Sequence, residues 1–281
     1  MQRGAVVSRL HGAVVSRLRG AMIVRLRVVI VALVAGLLVY AGVFAWQGYR
    51  RMSQIGLTDQ PCTADGLTIT GRAADDWGWL CGYRAENQRL IASGIRPEVV
   101  MIGDSLTAAW PAHDPAIAPP IAMRGIGGQT SEKVLLRFRQ DALSLRPRII
   151  HLLVGSNDIA GYAGPFTATR YTDNMLDMIE LARVHGQTVI LGTIPPMRAS
   201  SWLRANDPAP QIVRLNTRLR ALATPGVVLA DYHAALARPD GSPRGGMLMD
   251  DGIHLAPAGY AAIRPVFEAA LAEARKRQAA R

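Results

Sequence analysis

The stretch VVMIGDSLTAAW, residues 99–110, runs four apolar residues into Gly103-Asp104-Ser105 and then into a helix-like pattern. A serine at such a point either caps the helix or attacks something, and it attacks only if a neighbouring base takes its proton. The best base in the chain is His254, with Asp251 three positions before it in DDGIHLAPAGY, residues 250–260. One loop turn would bring that carboxylate to the imidazole, fix its tautomer and stabilise the imidazolium formed on proton transfer. A tetrahedral intermediate also needs preorganised donors for its oxyanion. The amide of Ser105, the amide of a glycine within 125–128 and the side-chain amide of Asn157 are suitable types. Glycine fits because it lets backbone approach a substrate closely. Together these types would support acyl transfer through Ser105.

Each residue also has a plainer reading. Serine is a common N-cap, and Asp104 is expected to order its turn by bonding to backbone. Asp158 is expected to be a structural hydrogen-bonder. Asp231-Tyr232-His233 follows an apolar run and is the rival acid–base pair to Asp251 and His254. His151 lies inside an apolar run and reads as core, whereas His113, in a proline-rich loop after the serine, is a candidate to line the site. Asp250, Asp251 and His254 have no further cluster to complete a metal shell. Gly125, Gly127 and Gly128 are not followed by the Lys-Ser/Thr of a phosphate-binding loop.

These groups must be delivered by regular elements. Apolar runs at 98–102, 120–123, 148–154, 188–193 and 227–230 read as strands. Helical stretches lie near 107–110, 131–143, 167–185, 211–223 and 257–277, with another over 83–93. Continuously apolar strands are expected when helices cover both faces of a sheet, and strict alternation of strand and helix predicts a parallel α/β sheet. In such sheets functional groups gather at the carboxyl ends of the strands, where Ser105, the 125–128 glycines and Asn157 fall.

GDSLT, GIGGQT, GSND and DGIHLAPAGY resemble, in this order, the sequence blocks of the SGNH hydrolases, also called the GDSL esterase/lipase family. The resemblance covers roughly residues 97–275. It implies a flavodoxin-like three-layer α/β/α sandwich with a five-stranded parallel sheet, and no metal or organic cofactor. It further implies Ser105 as nucleophile, Asp251 and His254 as acid and base, and Ser105, Gly128 and Asn157 as the oxyanion hole. Gln129 departs from the pattern, since many members carry Asp there.

The flanks bound the setting. The formal charge is +11, yet residues 1–51 hold eight arginines and no acid, which leaves 24 basic against 21 acidic residues elsewhere. The high pI therefore describes an N-terminal arm, and no nucleic-acid partner is expected. Residues 28–46 carry no charge and follow six arginines, which predicts a single transmembrane helix with its N-terminus in the cytoplasm. The alternative is a cleaved signal peptide, with small residues before Trp46. GAVVSRL occurs at 4–10 and again at 12–18, with GAMIVRLR at 20–27; a slipped repeat, or a true start at Met22, is expected. Cys62 and Cys81 are the only cysteines, and outside the cytoplasm they would pair as a disulfide; two separate buried thiols are the alternative. Trp77 and Trp79 are expected to pack their segment onto the body, with carbohydrate stacking as the alternative.

The expected organisation is a basic arm and anchor over 1–50, a connecting segment over 51–96 and the hydrolase domain over 97–281. The expected activity is that of a serine esterase held in the inner membrane with its catalytic domain in the periplasm, or of a secreted form after cleavage. Its partner would be a small-molecule, lipid or glycan ester. An O-acetyl esterase acting on envelope carbohydrate is the first expectation, and a lysophospholipase or short-chain acyl esterase/thioesterase the second. A binding module with little turnover is the reading from another class.

Overall fold

A computed structural model describes residues 25–49, 61–68, 75–115, 117, 121–198 and 207–280. The repeat at 4–18, Met22 and Arg50 and Arg51 lie outside the described residues. The chain divides into two compact units, 1–59 and 60–281. In the first, helix α1 (Arg25–Tyr49) is apolar and 25 residues long. At about 1.5 Å per residue it spans about 37 Å, enough to cross a hydrocarbon core of about 30 Å.

The second unit begins with a short disulfide-closed segment and helix α2 (Arg84–Ser93). There follow β1 (Val99–Gly103), α3 (Ser105–His113), β2 (Ile121–Gly125), α4 (Ser131–Asp141), β3 (Ile149–Leu153), the single turn α5 (Ser156–Ile159) and α6 (Ala168–Val184). The chain closes with β4 (Thr188–Gly192), α7 (Ala209–Ala221), β5 (Val227–Ala230), the short α8 (Tyr232–Leu236) and α9 (Pro257–Ala279). The five strands are all parallel, in the order β2-β1-β3-β4-β5, which is the flavodoxin-like winding. Its direction reverses between β1 and β3, so a crevice opens beyond their carboxyl ends.

Successive strand residues point to opposite faces. Val100, Ile102, Ile150 and Leu152 meet Val134 and Phe138 of α4 and Met175 and Met178 of α6. Val99, Met101, Ile149 and Leu153 meet Trp110 of α3 and Tyr260, Ile263 and Phe267 of α9. Both faces are covered by helices, and the strands are therefore largely apolar, with Arg124, His151 and Thr188 as buried exceptions. On the second face Trp110 sits among His151, Tyr232, Tyr260 and Phe267, with ring centroids 5.7–5.8 Å away. His151 donates or accepts through Nε2 to Tyr232 Oη at 2.8 Å, and burial lowers its pKa to about 3, so it stays neutral inside the core.

Helix α3 runs through Pro111 to His113, beyond the 107–110 stretch read from sequence. The bond from Asp114 N to Trp110 O, 2.9 Å, closes its last turn, so the proline's missing N–H does not end it. His113 consequently stands two helical turns from Ser105 and stacks on Tyr260 at 5.2 Å. It does not line the serine's surroundings, in contrast to the sequence expectation.

Ahead of α2, Cys62 and Cys81 form a disulfide. The Asp76 carboxylate accepts from Leu80 N (2.6 Å) and Cys81 N (2.9 Å). Trp77 and Trp79 are 50% and 44% exposed, and Lys133 Nζ of α4 lies 5.2 Å from the Trp77 ring centroid, so the indoles pack this segment only in part. Its backbone makes the closest approach at Gly78, where a Cβ would come 2.4 Å from Leu136 Cδ2 of α4, and Leu80 O accepts from Gln140 Nε2 at 2.6 Å.

The carboxyl end of β2 packs directly on α3. A Cβ on Gly125 would fall 2.1 Å from Ala108 N, a backbone atom held by the helix. Gly125→Ala must push α3, and Ser105 with it, away from the sheet. It is expected to cost about 1–3 kcal/mol or more, whereas Gly245→Ala, which meets nothing within 4 Å, should stay within about 0.5 kcal/mol of the parent. Chemical denaturation of the two variants checks this.

Candidate active site

Ser105 is the first residue of α3. Asp104 before it is extended, and its Oδ1 accepts from Leu106 N at 2.9 Å, so the aspartate caps the helix and the serine hydroxyl is left for other work. That hydroxyl lies 2.9 Å from His254 Nε2. On the far side of the ring, His254 Nδ1 is 2.6 Å from Asp251 Oδ2. An ionised carboxylate only accepts, so the ring proton is on Nδ1 and Nε2 accepts from the Ser105 hydroxyl. The result is an unbroken chain from carboxylate to imidazole to alcohol.

The loop carrying Asp251 and His254 is closed on itself. Asp251 Oδ1 accepts from the amides of Ile253 and His254, both at 2.9 Å. Met249 N donates to His254 O at 2.8 Å, and Gly252 N to Met249 O at 3.0 Å. Arg198 clamps the outside, its amide donating to Gly252 O and its Nη2 to Met249 O, both at 2.8 Å. Partial burial pushes the Asp251 pKa up, but the two amides and the imidazole outweigh it and hold the carboxyl below its ordinary value. The aspartate thus stays charged where the imidazolium would form.

The loop after β2 runs beside the serine. A Cβ on Gly127 would lie 3.9 Å from Ser105 Cβ. Gly128 has φ +73°, in the left-handed region that favours glycine, and Tyr162 lies 3.7 Å from where its Cβ would be. Asn157, on α5 at the end of β3, donates from Nδ2 to Gln129 O at 3.0 Å. That bond uses one of the two N–H groups of the amide. The structure therefore joins Ser105, His254 and Asp251 directly, sets Gly127 beside Ser105, and links Asn157 to the loop of Gly128 through Gln129 O.

Neighbouring acids and bases are engaged elsewhere. Asp158 binds Ser131 N (2.9 Å) and Ser131 Oγ (2.5 Å), and burial raises its pKa to about 6. Asp231 pairs with Arg220 Nε at 2.9 Å and accepts from Thr193 Oγ1 at 3.0 Å. It does not bond the His233 ring, so the rival pair is not assembled.

The family profile for the GDSL-like lipase/acylhydrolases matches residues 101–262. The chain belongs to the GDSL-like lipase/acylhydrolase family. Among solved structures of the same fold, a GDSL-like lipase from Bacteroides thetaiotaomicron VPI-5482 is 28% identical with a TM-score of 0.65, covering 70% of this chain and 99% of that one. A protein from Bacteroides fragilis NCTC 9343 assigned as an acylhydrolase is 31% identical with a TM-score of 0.63, covering 70% and 98%. The uncharacterized lipoprotein YqeF of Bacillus subtilis (strain 168) is 37% identical over 76 residues, which is 26% of this chain and 31% of that one. Membership makes the chain one of an ester-hydrolysing family.

Sequence reasoning passed over Arg137, Asp141 and the side chain of Gln129, which form a buried layer under the glycine loop. A signal was present. Val134, Arg137, Phe138 and Asp141 are spaced to share the inward face of α4, so two charged residues stand on an apolar stripe.

Asp104 yields a pH prediction. It is fully buried, its Oδ2 has no hydrogen-bond partner among the described residues, and burial raises its pKa to about 7. A carboxyl that holds its proton more tightly when folded stabilises the fold at low pH, and this contribution is lost as pH rises through about 7. Asp104→Asn keeps the capping oxygen and cannot ionise. Its melting temperature should fall less than that of the parent between about pH 5 and pH 8. Equal slopes in the two proteins would remove the assignment.

Proposed function

We propose that this chain is a serine esterase, held by α1 in the inner membrane with its catalytic unit in the periplasm, that hydrolyses carboxylic esters through an acyl-enzyme. The observation carrying the reading is the hydrogen-bonded chain from Asp251 through His254 to Ser105. Ser105 Oγ attacks the ester carbonyl carbon while His254 Nε2 takes its proton. The carbonyl oxygen becomes the oxyanion, held by the amides of Ser105 and Gly128 and by Asn157 Nδ2. The bond to the alcohol then breaks, the imidazolium gives its proton to the leaving oxygen, and the acyl group stays on Ser105. Water, deprotonated by the same imidazole, releases the acid and restores the serine. Asp251 keeps the ring in the tautomer that each transfer needs.

For substrate we infer an O-acetylated carbohydrate of the cell envelope. Two half-exposed indoles, Trp77 and Trp79, flank Gly78, whose carbonyl accepts from Gln129 Nε2 at 3.1 Å, one residue beyond Gly128. Half-exposed Tyr162 stands on another side of the same glycine. Trp79 also has φ +56°, an uncommon conformation for a bulky residue, held by the Asp76 turn and the disulfide. Lys133 Nζ lies over the Trp77 ring, which leaves the half-exposed faces of Trp79 and Tyr162 to suit sugar rings, and tethering at the outer face of the membrane suits envelope glycans. The positive flank before α1 supports the orientation.

Ser105→Ala should abolish hydrolysis of p-nitrophenyl acetate, and Asn157→Ala should lower kcat by roughly 10²–10³-fold. An unchanged rate in Ser105→Ala would contradict the mechanism. Trp79→Ala should slow acetate release from acetylated polysaccharide while leaving the aryl ester rate near that of the parent. Loss of both rates alike would contradict the glycan reading, and preferential cleavage of lysophospholipid by the parent would favour a lysophospholipase.

A further inference from the structure

One fully buried cation lies beneath the loop and takes no part in the steps above. Arg137 of α4 is 0% exposed, and its guanidinium reaches three acceptors. Nη2 donates to Gly103 O at 2.8 Å, Nε to Gln129 Oε1, and Nη1 to Asp141 Oδ2 at 3.0 Å. Asp141 is held in turn by Asn87 Nδ2 at 2.7 Å. Gly103 ends the strand that presents Ser105, two residues on. Gln129 follows Gly128, its backbone carbonyl receives Asn157 Nδ2 at 3.0 Å, and its side-chain Nε2 donates to Gly78 O at 3.1 Å.

We propose that Arg137 is a positioning residue for acyl transfer, its rigid fork setting the spacing between the strand end that carries Ser105 and the loop that carries Gly128 and orients Asn157. The inference rests on the reading of Ser105 as nucleophile. Three physical points carry it. A guanidinium is planar and presents its donors at fixed angles, so anchoring Gly103 O and Gln129 Oε1 on one group fixes their separation, which the flexible stem and point charge of lysine would not do. A buried ion pair is weak as a stabiliser, since apolar residues of similar volume are often as good or better, so stability alone does not account for Arg137 and Asp141 on the apolar face of α4. Misplacement of reacting groups by about 1 Å costs about 10²-fold in rate, so a tie between nucleophile and oxyanion donors has large leverage. Gln129 fits this role through both ends of its amide. Its oxygen accepts from Arg137 and its nitrogen donates to Gly78 O, and a carboxylate there could not supply the second bond.

The test uses the full chain in detergent, with active sites titrated to completion by a fluorophosphonate. Arg137→Lys keeps the charge without the fork. Gln129→Met keeps Arg137 and its bonds to Gly103 and Asp141, and removes the tie to the loop together with the bond from Nε2 to Gly78 O, so it carries the test if the lysine variant does not fold, with Gln129→Glu, which keeps the acceptor for Arg137 and loses only the Gly78 bond, as its control. With p-nitrophenyl acetate, kcat per titrated site should fall about 10–100-fold in folded Arg137→Lys and Gln129→Met while KM changes far less. A structural role would lower the melting temperature and the titratable fraction but leave kcat per titrated site at the parental value, and that result would overturn the inference. Ser105→Ala is run alongside. Full activity there would show that the nucleophile reading has failed, whereas an inactive Ser105→Ala with undiminished Arg137 and Gln129 variants would show that the positioning inference alone has failed.

Discussion

A 2.9 Å hydrogen bond between His254 Nε2 and Ser105 Oγ joins residues 149 positions apart, and the architecture can be understood as the set of constraints that lets it form. The serine is presented at one point because β1 is an interior strand, paired on both sides by β2 and β3, and α3 is pressed onto the end of β2 at Gly125. The histidine is presented at one point because its loop is internally bonded through Asp251, Met249 and Gly252 and clamped by Arg198. Neither anchor comes from the reacting groups themselves, so both side chains are preorganised before any ester arrives. Preorganisation of this kind avoids reorganisation during the reaction, which is where electrostatic catalysis gains most of its effect.

The same end of the sheet holds an unusual amount of buried polarity. Arg124, Arg137, Asp141 and Asn87 share one connected layer between α2, α4 and the strand ends, and Tyr83 Oη closes it on Gly125 O at 2.7 Å. Taking such groups out of water is costly unless their partners are fixed, and here Arg124 Nη2 alone of the layer's guanidinium nitrogens is buried without a partner among the described residues, while the bonds that are made are strong and directional in a low dielectric. Burial raises the Asp141 pKa while the Arg137 guanidinium opposes that rise, and burial lowers the Arg137 pKa while Asp141 opposes it. The layer lies directly under the loop of Gly127 and Gly128. It gives that loop a rigid floor where a purely apolar core would supply no directional contacts. The disulfide of Cys62 and Cys81 closes the neighbouring segment on itself, and that segment meets the loop where Gln129 Nε2 donates to Gly78 O.

Much of this arrangement is legible from the residues alone, for identifiable reasons. All five strands follow from apolar runs because both faces of the sheet are covered, and parallel winding then places the strand ends together. Ser105, Asn157, Asp251 and His254 stand at those ends and in the last loop, where type and spacing mark them. Other features depend on three-dimensional facts that a linear pattern does not carry. The turns α5 and α8, four and five residues long, are too short to display a helical period. The indoles of Trp77 and Trp79 look like packing residues, but Gly78 takes the contact with Leu136 and leaves them half-exposed, with Lys133 over the Trp77 ring. Arg137 reads as an ordinary exposed helix arginine unless its position on the stripe of Val134 and Phe138 is noticed, and its acceptors, Gly103 O and Gln129 Oε1, come from other parts of the chain.

The central claim is that the Ser105 oxygen is the atom that becomes acylated, made nucleophilic by the ring of His254. The most direct measurement is peptide mass mapping of the full chain after exposure to a fluorophosphonate, with His254→Ala treated in parallel. The account predicts one phosphonyl adduct, on the peptide containing Ser105 and localised to that residue, and no comparable adduct in the His254 variant. An adduct on another residue, or full esterase activity in a protein whose Ser105 has been quantitatively modified, would contradict it.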